Sequence, residues 1–379
     1  MTRPAVMEVA PVDSHWMAHA LMLAEQARGL TSPNPMVGAV LVRDGVPVGD
    51  GFHARAGAPH AEALALRVAG SRAEGATLYV TLEPCTHHGR TPPCVEGILA
   101  ARVGRVVVAA LDPDPRVNGR GLQALRAAGV PVVTGCMEDN ALALNRVFFT
   151  AMRRLRPHVT LKCAMTLDGK IAAFDRSARW ITGPEARAEG HRLRSEADAI
   201  VVGVGTALAD DPALSVRLPA PWPREPLRVV LDSHARLPLS ARLIGSGEPG
   251  RAVVAVTDLA PAGRAAALEA RGATVLSCKA RDGRVDPEDL CARLFARQVI
   301  GILLEGGGEL NASFLEAGLV DRVAFFVAPI VIGGRAAPTA VGGRGRPLAD
   351  AIRLESVSVR QLGRDWLIEG DVERPAGPT

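Results

Sequence analysis

The chain has 379 residues, of which 48% are hydrophobic and only 3% aromatic, and it carries a net charge of +4 with a pI near 8.9. That length favours two domains. The weak charge, without a Lys/Arg block or a basic stripe interleaved with aromatic residues, argues against a nucleic acid partner. No run of 18 apolar residues predicts a membrane span, and residues 1–12 lack the apolar stretch of a signal peptide. Six irregularly spaced cysteines are typical of metal ligands and buried thiols, so we expect a protein of the reducing cytoplasm.

The first predicted element is a helix. Asp13 or Ser14 can cap its N-terminus, apolar residues recur at helical spacing over 17–24, and Gly29 marks its end.

A rigid turn, Pro33-Asn34-Pro35, then leads into a predicted strand at 37–42. Asp44-Gly45 closes that strand as a hairpin, because this pair is a strong turn signal. Asn34 is held between two prolines, so its amide either reads the edge of a heterocycle or closes an Asx turn. The sequence leaves both possibilities open.

The strongest motif is a histidine and a glutamate two residues apart, followed by two cysteines: His60, Glu62, Cys85 and Cys94. One imidazole and two thiolates leave the fourth tetrahedral position of Zn²⁺ open to water, as a catalytic site requires. Zinc deaminases carry H-x-E followed by P-C-x-x-C, and the glutamate is their general acid/base, not a ligand. Here eight residues separate the cysteines instead of two, so a longer loop must fold back over the site.

The same residues could instead form a structural zinc site with His87 or His88 as the fourth ligand. Structural sites usually pair their cysteines closely. The histidine, however, opens a predicted helix at 60–69 and the first cysteine follows a predicted strand at 76–82, which favours the catalytic interpretation. A helix beginning near Cys94 should lower the pKa of that thiol.

Strand 105–110, helix 119–128, strand 131–133 and helix 139–152 complete an alternating α/β unit. The basic stretch 153–157 is the predicted boundary, which gives domains of 1–152 and 157–379.

Pro33-Asn34-Pro35, His60-Ala61-Glu62 and the segment from Pro84 to Cys94 together resemble the deaminase half of the bifunctional riboflavin-biosynthesis deaminase/reductase family, whose own motif has the long loop between the cysteines. The resemblance implies an N-terminal zinc cytidine-deaminase-like α/β/α domain and hydrolytic deamination of 2,5-diamino-6-ribosylamino-4(3H)-pyrimidinone 5′-phosphate. It also implies Zn²⁺ on His60, Cys85 and Cys94, Glu62 as the proton shuttle, and a pocket lined by Asn34, His53, His87 and Arg90.

The second half begins with a predicted strand at 158–165 that contains Lys162, one of only three lysines in the chain. A lysine in an apolar strand either serves a pocket or extends to solvent from the strand end. Further strands are predicted at 199–203, 228–231, 252–256, 273–276, 300–304, 321–327 and within 352–370. The strand at 300–304 leads into Glu305, a glycine run and a helix, an arrangement that can cradle phosphate but is not a Rossmann fingerprint.

This order resembles the reductase half of the same family, so the resemblance covers nearly the whole chain. It implies a dihydrofolate-reductase-like α/β domain that uses NADPH to reduce the ribosyl group of 5-amino-6-(5-phosphoribosylamino)uracil to ribityl. The implied cofactor contacts are Ala164, Trp180, Thr206, Asp210, Ser233, Gly307, Gly308, Glu309, Leu310, Asn311, Ala312 and Ser313. The implied substrate contacts are Lys162, which could assist protonation, and Ala178, Arg194, Leu214, Arg217 and Glu305, with the two arginines as phosphate clamps.

At two positions of the reductase half, the resemblance does not assign a role to the side chain directly. Ala178 stands where we expect a polar residue, so its contact would be through the backbone. Arg236 is either the partner of the cofactor 2′-phosphate or an ordinary surface arginine.

Two other hypotheses compete with the family interpretation. A nucleoside, base or tRNA deaminase fused to a dihydrofolate-reductase-like domain should have the short P-C-x-x-C loop and, for tRNA, a basic surface. A zinc-stabilised binding protein would have no use for Glu62. From the resemblance we expect a homodimer or homotetramer whose partner is a small phosphorylated pyrimidine.

Overall fold

The structure is a computed structural model that describes residues 9–86, 92–115, 117–245 and 250–374. It divides into two compact units, Met1–Leu155 and Arg156–Thr379. No helix in these described ranges is long and apolar enough to cross a membrane.

The first unit alternates strands and helices. Its elements are α1 (Pro11–Glu25), β1 (Gly38–Arg43), β2 (Val46–Phe52), α2 (Ala61–Ala69), β3 (Thr77–Leu82), α3 (Cys94–Ala100), β4 (Arg105–Ala110), α4 (Arg120–Ala127), β5 (Val132–Thr134), α5 (Glu138–Leu144) and α6 (Arg146–Arg154). The described strands form one sheet in the order β2-β1-β3-β4-β5, in which β1 is antiparallel to both neighbours and β3, β4 and β5 are parallel. The predicted hairpin is confirmed, because Asp44 and Gly45 have the positive φ values, 51° and 76°, that its tight turn requires.

Small residues let α2 lie close to the sheet, and this contact fixes the position of His60. Ala61, Ala65 and Ala69 are buried on the sheet side of the helix. A Cβ at Gly49 of β2 would lie only 2.3 Å from the Ala65 carbonyl oxygen, so a larger residue there would push the helix outward. The N-terminus of α2, where His60 lies, is therefore fixed against β2.

The predicted cap of the first helix is wrong. The helix begins at Pro11 with Ala10 as its N-cap, and Asp13 is fully buried inside the first turn. The Asp13 carboxylate accepts hydrogen bonds from Ala10 N (2.9 Å), the Tyr79 hydroxyl (3.0 Å) and both terminal nitrogens of Arg105 (2.7 and 2.9 Å). Asp13 is therefore not the N-cap; it accepts the N–H of the N-cap residue and binds the half-buried Arg105 from another element.

The predicted helix at 139–152 is also interrupted. Helices α5 and α6 meet at Asn145, whose backbone leaves the helical region at φ −105° and ψ 24°. The buried Asn145 side chain accepts a hydrogen bond from Met36 N and donates one to Met36 O, each 2.8 Å long. The break aims this amide at the Pro33–Pro35 turn region, a long-range contact that helical periodicity does not reveal.

The second unit is built on a larger mixed sheet. Its elements are β6 (His158–Thr166), α7 (Pro184–Glu196), β7 (Ala199–Gly203), α8 (Val204–Asp210), β8 (Leu227–Leu231), α9 (Arg242–Gly245), β9 (Ala252–Val256), α10 (Ala262–Ala270), β10 (Thr274–Ser277), β11 (Ala280–Arg281), β12 (Arg284–Val285), α11 (Pro287–Phe295), β13 (Gly301–Leu304), α12 (Gly308–Glu316), β14 (Val320–Ala328), β15 (Leu354–Leu362) and β16 (Asp365–Val372).

Within the described residues this sheet has the order β10-β9-β8-β7-β13-β6-β14-β16-β15, and β11-β12 is a separate hairpin. The strands from β10 to β14 are parallel, whereas β16 and β15 are antiparallel additions at one edge. The carboxyl ends of β8, β7, β13 and β6 consequently lie along one edge of the sheet. Ligands of open α/β sheets bind at such an edge.

Several parts of this unit were not predicted in the form observed, among them α9 and the β11-β12 hairpin. The segment 352–370 is a two-stranded hairpin, and the chain after the predicted strand 199–203 turns directly into α8. Helix α11 was not predicted at all. Helix α8 spans seven residues, which is too short for helical periodicity to be distinguished from a loop.

Candidate active sites

Three donor atoms converge in the first unit. His60 is the N-cap of α2, Cys94 is the first residue of α3, and Cys85 lies shortly after β3. His60 Nδ1 is 3.2 Å from Cys94 Sγ and 3.6 Å from Cys85 Sγ, and the three donor atoms all lie within 4.8 Å of one another. Nitrogen and sulfur ligands about 2.0–2.3 Å from a tetrahedral Zn²⁺ are spaced about 3.5 Å apart, so this donor set fits the ion.

The Cys85 and Cys94 thiols differ in acidity. The sequence predicted a lowered pKa for Cys94, and this prediction is wrong. A hydrogen bond from Cys94, together with His60, lowers the pKa of the Cys85 thiol to about 4 against the effect of burial. The hydrogen bond to Cys85 and burial raise the pKa of Cys94. Position at a helix N-terminus does not lower the pKa of Cys94, because the neighbouring Cys85 takes the negative charge first.

Glu62 lies in the first turn of α2 beside this cluster and is almost completely buried. Burial raises the pKa of the Glu62 carboxyl, although His60 opposes the shift. A raised carboxyl pKa lets a group carry a proton near neutral pH. Glu62 therefore has the position and the acidity of a general acid/base next to the donor cluster.

A polar chain connects Asn34 to the donor cluster. The Asn34 side-chain amide donates to His53 Nε2 (3.1 Å), and His53 Nδ1 in turn donates to the Pro59 carbonyl (3.2 Å). The His53 ring meets the His60 ring edge to face, with 5.6 Å between ring centroids. Asn34 thus contacts His53 instead of closing an Asx turn. His87 and Arg90, the other two predicted pocket residues, lie outside the described residues.

A buried carboxylate near the site was not singled out from the sequence. Glu83 directly precedes Pro84-Cys85, and its side chain accepts hydrogen bonds from the backbone nitrogens of Gly119 and Gly121 (2.9 Å each) and of Asp112 and Leu122 (3.3 Å each). It ties the end of β3 to the loop after β4. Burial raises the pKa of Asp112 in that loop to about 6. The available sequence signals were Glu83-Pro84-Cys85 and the repeat Asp112-Pro113-Asp114-Pro115, whereas nothing local indicated a role for Asn145.

A compact ionic cluster lies in the second unit. Arg194 of α7 binds Glu305 through two hydrogen bonds of 2.6 and 2.8 Å and also donates to the Ser215 carbonyl (3.1 Å). Lys162 Nζ lies 3.7 Å from the same carboxylate and 5.7 Å from the centre of the Phe326 ring. Burial alone would raise the pKa of Glu305, but Arg194 and Lys162 override it and lower that pKa to about 2.

The two faces of β6 have different surroundings, which explains why this apolar strand contains Lys162. Val159, Leu161 and Cys163 point into the main core, while Lys162 and Ala164 occupy the opposite face, which α7 covers. A Cβ at Gly190 of α7 would lie 3.8 Å from Lys162 Cε, so the helix leaves room for the lysine there. Lys162 is half-buried against a carboxylate, not extended to solvent from the strand end.

The segment 214–217 brings two more predicted substrate residues next to this cluster. Leu214 is buried with φ +50°, a backbone conformation that side chains rarely adopt. The Arg217 backbone nitrogen donates to His191 Nδ1 at 3.3 Å. Among the described residues, the exposed Arg217 side chain forms no hydrogen bond or ion pair. His191 was not predicted, although its position three residues before Arg194 on one helix was a usable signal.

The glycine run lies where two helices begin. A Cβ at Gly307 would lie 3.4 Å from Thr206 Oγ1, and a Cβ at Gly308 would lie 2.4 Å from the Thr339 carbonyl. Asn311 of α12 is fully buried; its nitrogen donates to the Ala340 carbonyl (2.8 Å) and its oxygen has no hydrogen-bond partner in the described structure. Backbone amides at a helix N-terminus are able to bind the pyrophosphate of a dinucleotide such as NADPH.

The remaining predicted contacts are spread around this sheet edge. Ser233 follows β8, and its hydroxyl accepts a hydrogen bond from Val285 N (3.0 Å). Trp180 is 67% exposed, with the Arg187 guanidinium 4.7 Å from its ring centre. Asp210 ends α8, Ala164 lies in β6 and Ala178 is half-buried in the loop before α7. Residues Glu309 to Ser313 form the first turns of α12.

Arg236 is exposed, with Nε 3.7 Å from Asp232 Oδ1.

Comparison with known proteins matches both halves. Residues 11–110 match the model of the cytidine and deoxycytidylate deaminase zinc-binding region, and residues 157–368 match that of the RibD C-terminal domain. The chain is 41% identical to riboflavin biosynthesis protein RibD of Aquifex aeolicus, over 95% of this chain and 98% of the relative. It is 40% identical to RibD of Escherichia coli, over 93% and 97%.

Solved structures give the same result. RibD of Acinetobacter baumannii superposes with a TM-score of 0.87 at 38% identity, covering 96% of this chain and 99% of that one. The Thermotoga maritima diaminohydroxyphosphoribosylaminopyrimidine deaminase/5-amino-6-(5-phosphoribosylamino)uracil reductase superposes with a TM-score of 0.82 at 32% identity, covering 95% and 98%. The set of three possible zinc ligands in the first unit and the glycine run before a helix in the second accompany these matches. The chain therefore belongs to the RibD family, and is a bifunctional riboflavin-biosynthesis enzyme with a zinc-dependent deaminase and an NADPH-dependent reductase on one polypeptide.

Proposed function

We propose that the first unit deaminates 2,5-diamino-6-ribosylamino-4(3H)-pyrimidinone 5′-phosphate. The second unit then reduces the ribosyl group of the product, 5-amino-6-(5-phosphoribosylamino)uracil, to ribityl. The name of the Thermotoga structure, which gives these two activities for a protein similar over 95% of this chain, supports the assignment.

In the deaminase, His60, Cys85 and Cys94 would hold the zinc ion, which supplies an activated water when it is bound. Glu62 takes a proton from the attacking water and delivers it to the departing amine. Its burial and raised pKa suit it to hold that proton. Asn34, fixed by its hydrogen bond to His53, presents the rest of its amide to the pyrimidine edge. His87 and Arg90 complete the proposed pocket, with Arg90 as a partner for the phosphate.

In the reductase, NADPH supplies the hydride when it is bound between the loops after β7, β8 and β13. Lys162 donates a proton to the ribose ring oxygen as the sugar ring opens. Glu305 holds this lysine in place, and Arg194 in turn fixes Glu305 with two hydrogen bonds. Because Arg194 is neutralised in this way, Arg217 is the arginine free to bind the substrate phosphate.

The proposed cofactor contacts are those of the sheet edge: Ala164, Trp180, Thr206, Asp210, Ser233 and residues 307–313. Leu214 and the Ala178 backbone complete the substrate pocket.

The observation that carries the proposal is the donor cluster with Glu62 buried beside it, in a chain whose other unit holds Lys162 against Glu305. Two single variants test it. Glu62→Gln should abolish ammonia release with zinc content unchanged, while reduction of separately supplied phosphoribosylaminouracil continues. Lys162→Met should do the reverse. Loss of both activities in either variant, or retention of ammonia release by Glu62→Gln, would contradict the assignment.

We also propose that the protein acts in the cytoplasm as a homodimer or homotetramer. Six cysteines without a disulfide suit a reducing compartment. Strand β15 is an edge strand of the large sheet and exposes Val357 and Val359, which supports sheet-mediated association. Light scattering of the purified protein distinguishes these states from a monomer.

A further inference from the structure

His191 is a histidine next to the reductase cluster with no assigned role in the proposed chemistry. It lies on α7, one helical turn before Arg194, so both side chains leave the helix on the same side. Both contact the same piece of chain. Arg194 donates to the Ser215 carbonyl, and His191 Nδ1 accepts a hydrogen bond from the Arg217 backbone nitrogen.

The segment held in this way is strained. Leu214 has φ +50° and Asp211 has φ +39°, values that cost free energy for residues with a side chain. Such a conformation persists only where its surroundings fix it. Burial of Leu214 fixes one end of the segment, and the contacts of His191 and Arg194 fix the other.

Acceptance of the Arg217 N–H requires an unprotonated Nδ1. Burial, followed by the charges of Arg194 and Arg217, lowers the pKa of His191 to about 4. The neutral ring with its proton on Nε2 is therefore the form present under ordinary conditions.

We infer that His191 is a positioning residue of the reductase, which fixes the Arg217 backbone and so places the free Arg217 guanidinium for the phosphate of the sugar substrate. This inference rests on the proposed function. It assigns to His191 an effect on phosphate affinity and none on hydride transfer, because His191 acts through Arg217 and not on the reacting carbon.

The test uses two variants of nearly equal size in the full-length protein. His191→Asn places an amide oxygen where Nδ1 lies and keeps the acceptor, while His191→Leu places a methyl group there. Leucine is the better helix former of the two, so a defect confined to His191→Leu does not come from helix propensity. Binding of ribose 5-phosphate is measured by calorimetry, and reductase kcat and KM are measured with the phosphorylated substrate and NADPH. Ammonia release by the other unit of the same chain controls for folding.

His191→Leu should weaken ribose 5-phosphate binding and raise KM by about tenfold, the effect of one well-placed hydrogen bond. Its kcat should stay within about twofold of wild type, and His191→Asn should restore most of the affinity. In an Arg217→Ala background, His191→Leu should add little, because the residue it positions is gone.

Equal defects in both His191 variants, a loss confined to kcat, or a full tenfold loss on top of Arg217→Ala would overturn the inference. So would failure of the wild-type protein to bind ribose 5-phosphate. Failure of the proposed function has a different signature, since wild-type protein would then bind the sugar phosphate without oxidising NADPH.

Discussion

At the scale of single residues, one carboxylate holds both basic residues of the proposed reductase site. Glu305 is held between Arg194 and Lys162, so one negative charge neutralises a guanidinium and keeps an ammonium in place. Buried ion pairs of this kind contribute little net stability but are costly to break, because removal of one partner leaves the other charged and unpaired. We infer that the contacts of Glu305 with Arg194 serve to orient Lys162.

The acidity of Glu305 predicts a pH dependence of stability. Its pKa falls from the ordinary 4.5 to about 2 in the folded protein. A group with a depressed folded pKa stabilises the fold above its unfolded pKa, and that contribution is lost as the pH falls through the folded pKa. The wild-type melting temperature should therefore drop as the pH is lowered from 4.5 toward 2. In Glu305→Gln, which starts less stable, the drop should be smaller, and scanning calorimetry across this range compares the slopes. Parallel slopes in the two proteins would be inconsistent with this role.

At the scale of elements, the break between α5 and α6 lies next to the proposed deaminase pocket. The amide of Asn145 pairs with both backbone groups of Met36, two residues after Asn34. This contact joins the last helices of the unit to the turn that carries Asn34.

Asn145→Ala should leave two partly buried backbone groups of Met36 without this partner, at a cost of about 1–3 kcal/mol in unfolding free energy. Because the Asn34 turn loosens, the deaminase KM should rise while the reductase is unaffected. Asn140→Ala, at an exposed position of α5, is the matched control and should change neither quantity. Urea unfolding and ammonia-release kinetics make the comparison, and equal behaviour of the two variants would count against the role of Asn145.

The glycine run makes a comparable prediction for the other unit. A Cβ at Gly308 would approach the Thr339 carbonyl to 2.4 Å, so Gly308→Ala must displace either the segment around Thr339 or the start of α12. We expect the dissociation constant for NADPH, measured by fluorescence, to rise about tenfold. Gly263→Ala in the first turn of α10 meets no atom within 4 Å and should leave NADPH binding unchanged. Normal NADPH affinity in Gly308→Ala would show that the close approach does not matter for the cofactor.

The same scale shows what sequence patterns can and cannot predict. Strands such as Arg105–Ala110 and Ala199–Gly203 follow from runs of aliphatic residues, and the hairpin follows from Asp44-Gly45. The roles of Asp13 and Asn145 could not be predicted, because each depends on a partner far away in the chain: Arg105 for one and Met36 for the other.

The candidate sites likewise contain some features that local sequence predicts and others that depend on tertiary packing. The cluster of His60, Cys85 and Cys94 could be predicted from the sequence, because the residue types and their spacing are those of a zinc site. The engagement of Arg194 by Glu305 and the contact of His191 with Arg217 depend on how α7 packs over the sheet, which spacing does not encode.

At the scale of the whole molecule, two chemistries that act in sequence occupy two compact units of one chain. Deamination makes the pyrimidine that the reductase accepts, so neither activity alone accounts for the protein. Since each unit has its own core and its own charged site, we expect a variant of one site to leave the other active.

The most direct measurement is one coupled assay on the purified protein. Diaminopyrimidinone ribotide and NADPH are supplied together, and ammonia release is followed alongside the loss of NADPH absorbance. Ammonia should appear first, and NADPH should then be oxidised in equal amount. Ammonia without NADPH oxidation, or NADPH oxidation without ammonia, would contradict the claim that this chain carries both reactions in that order.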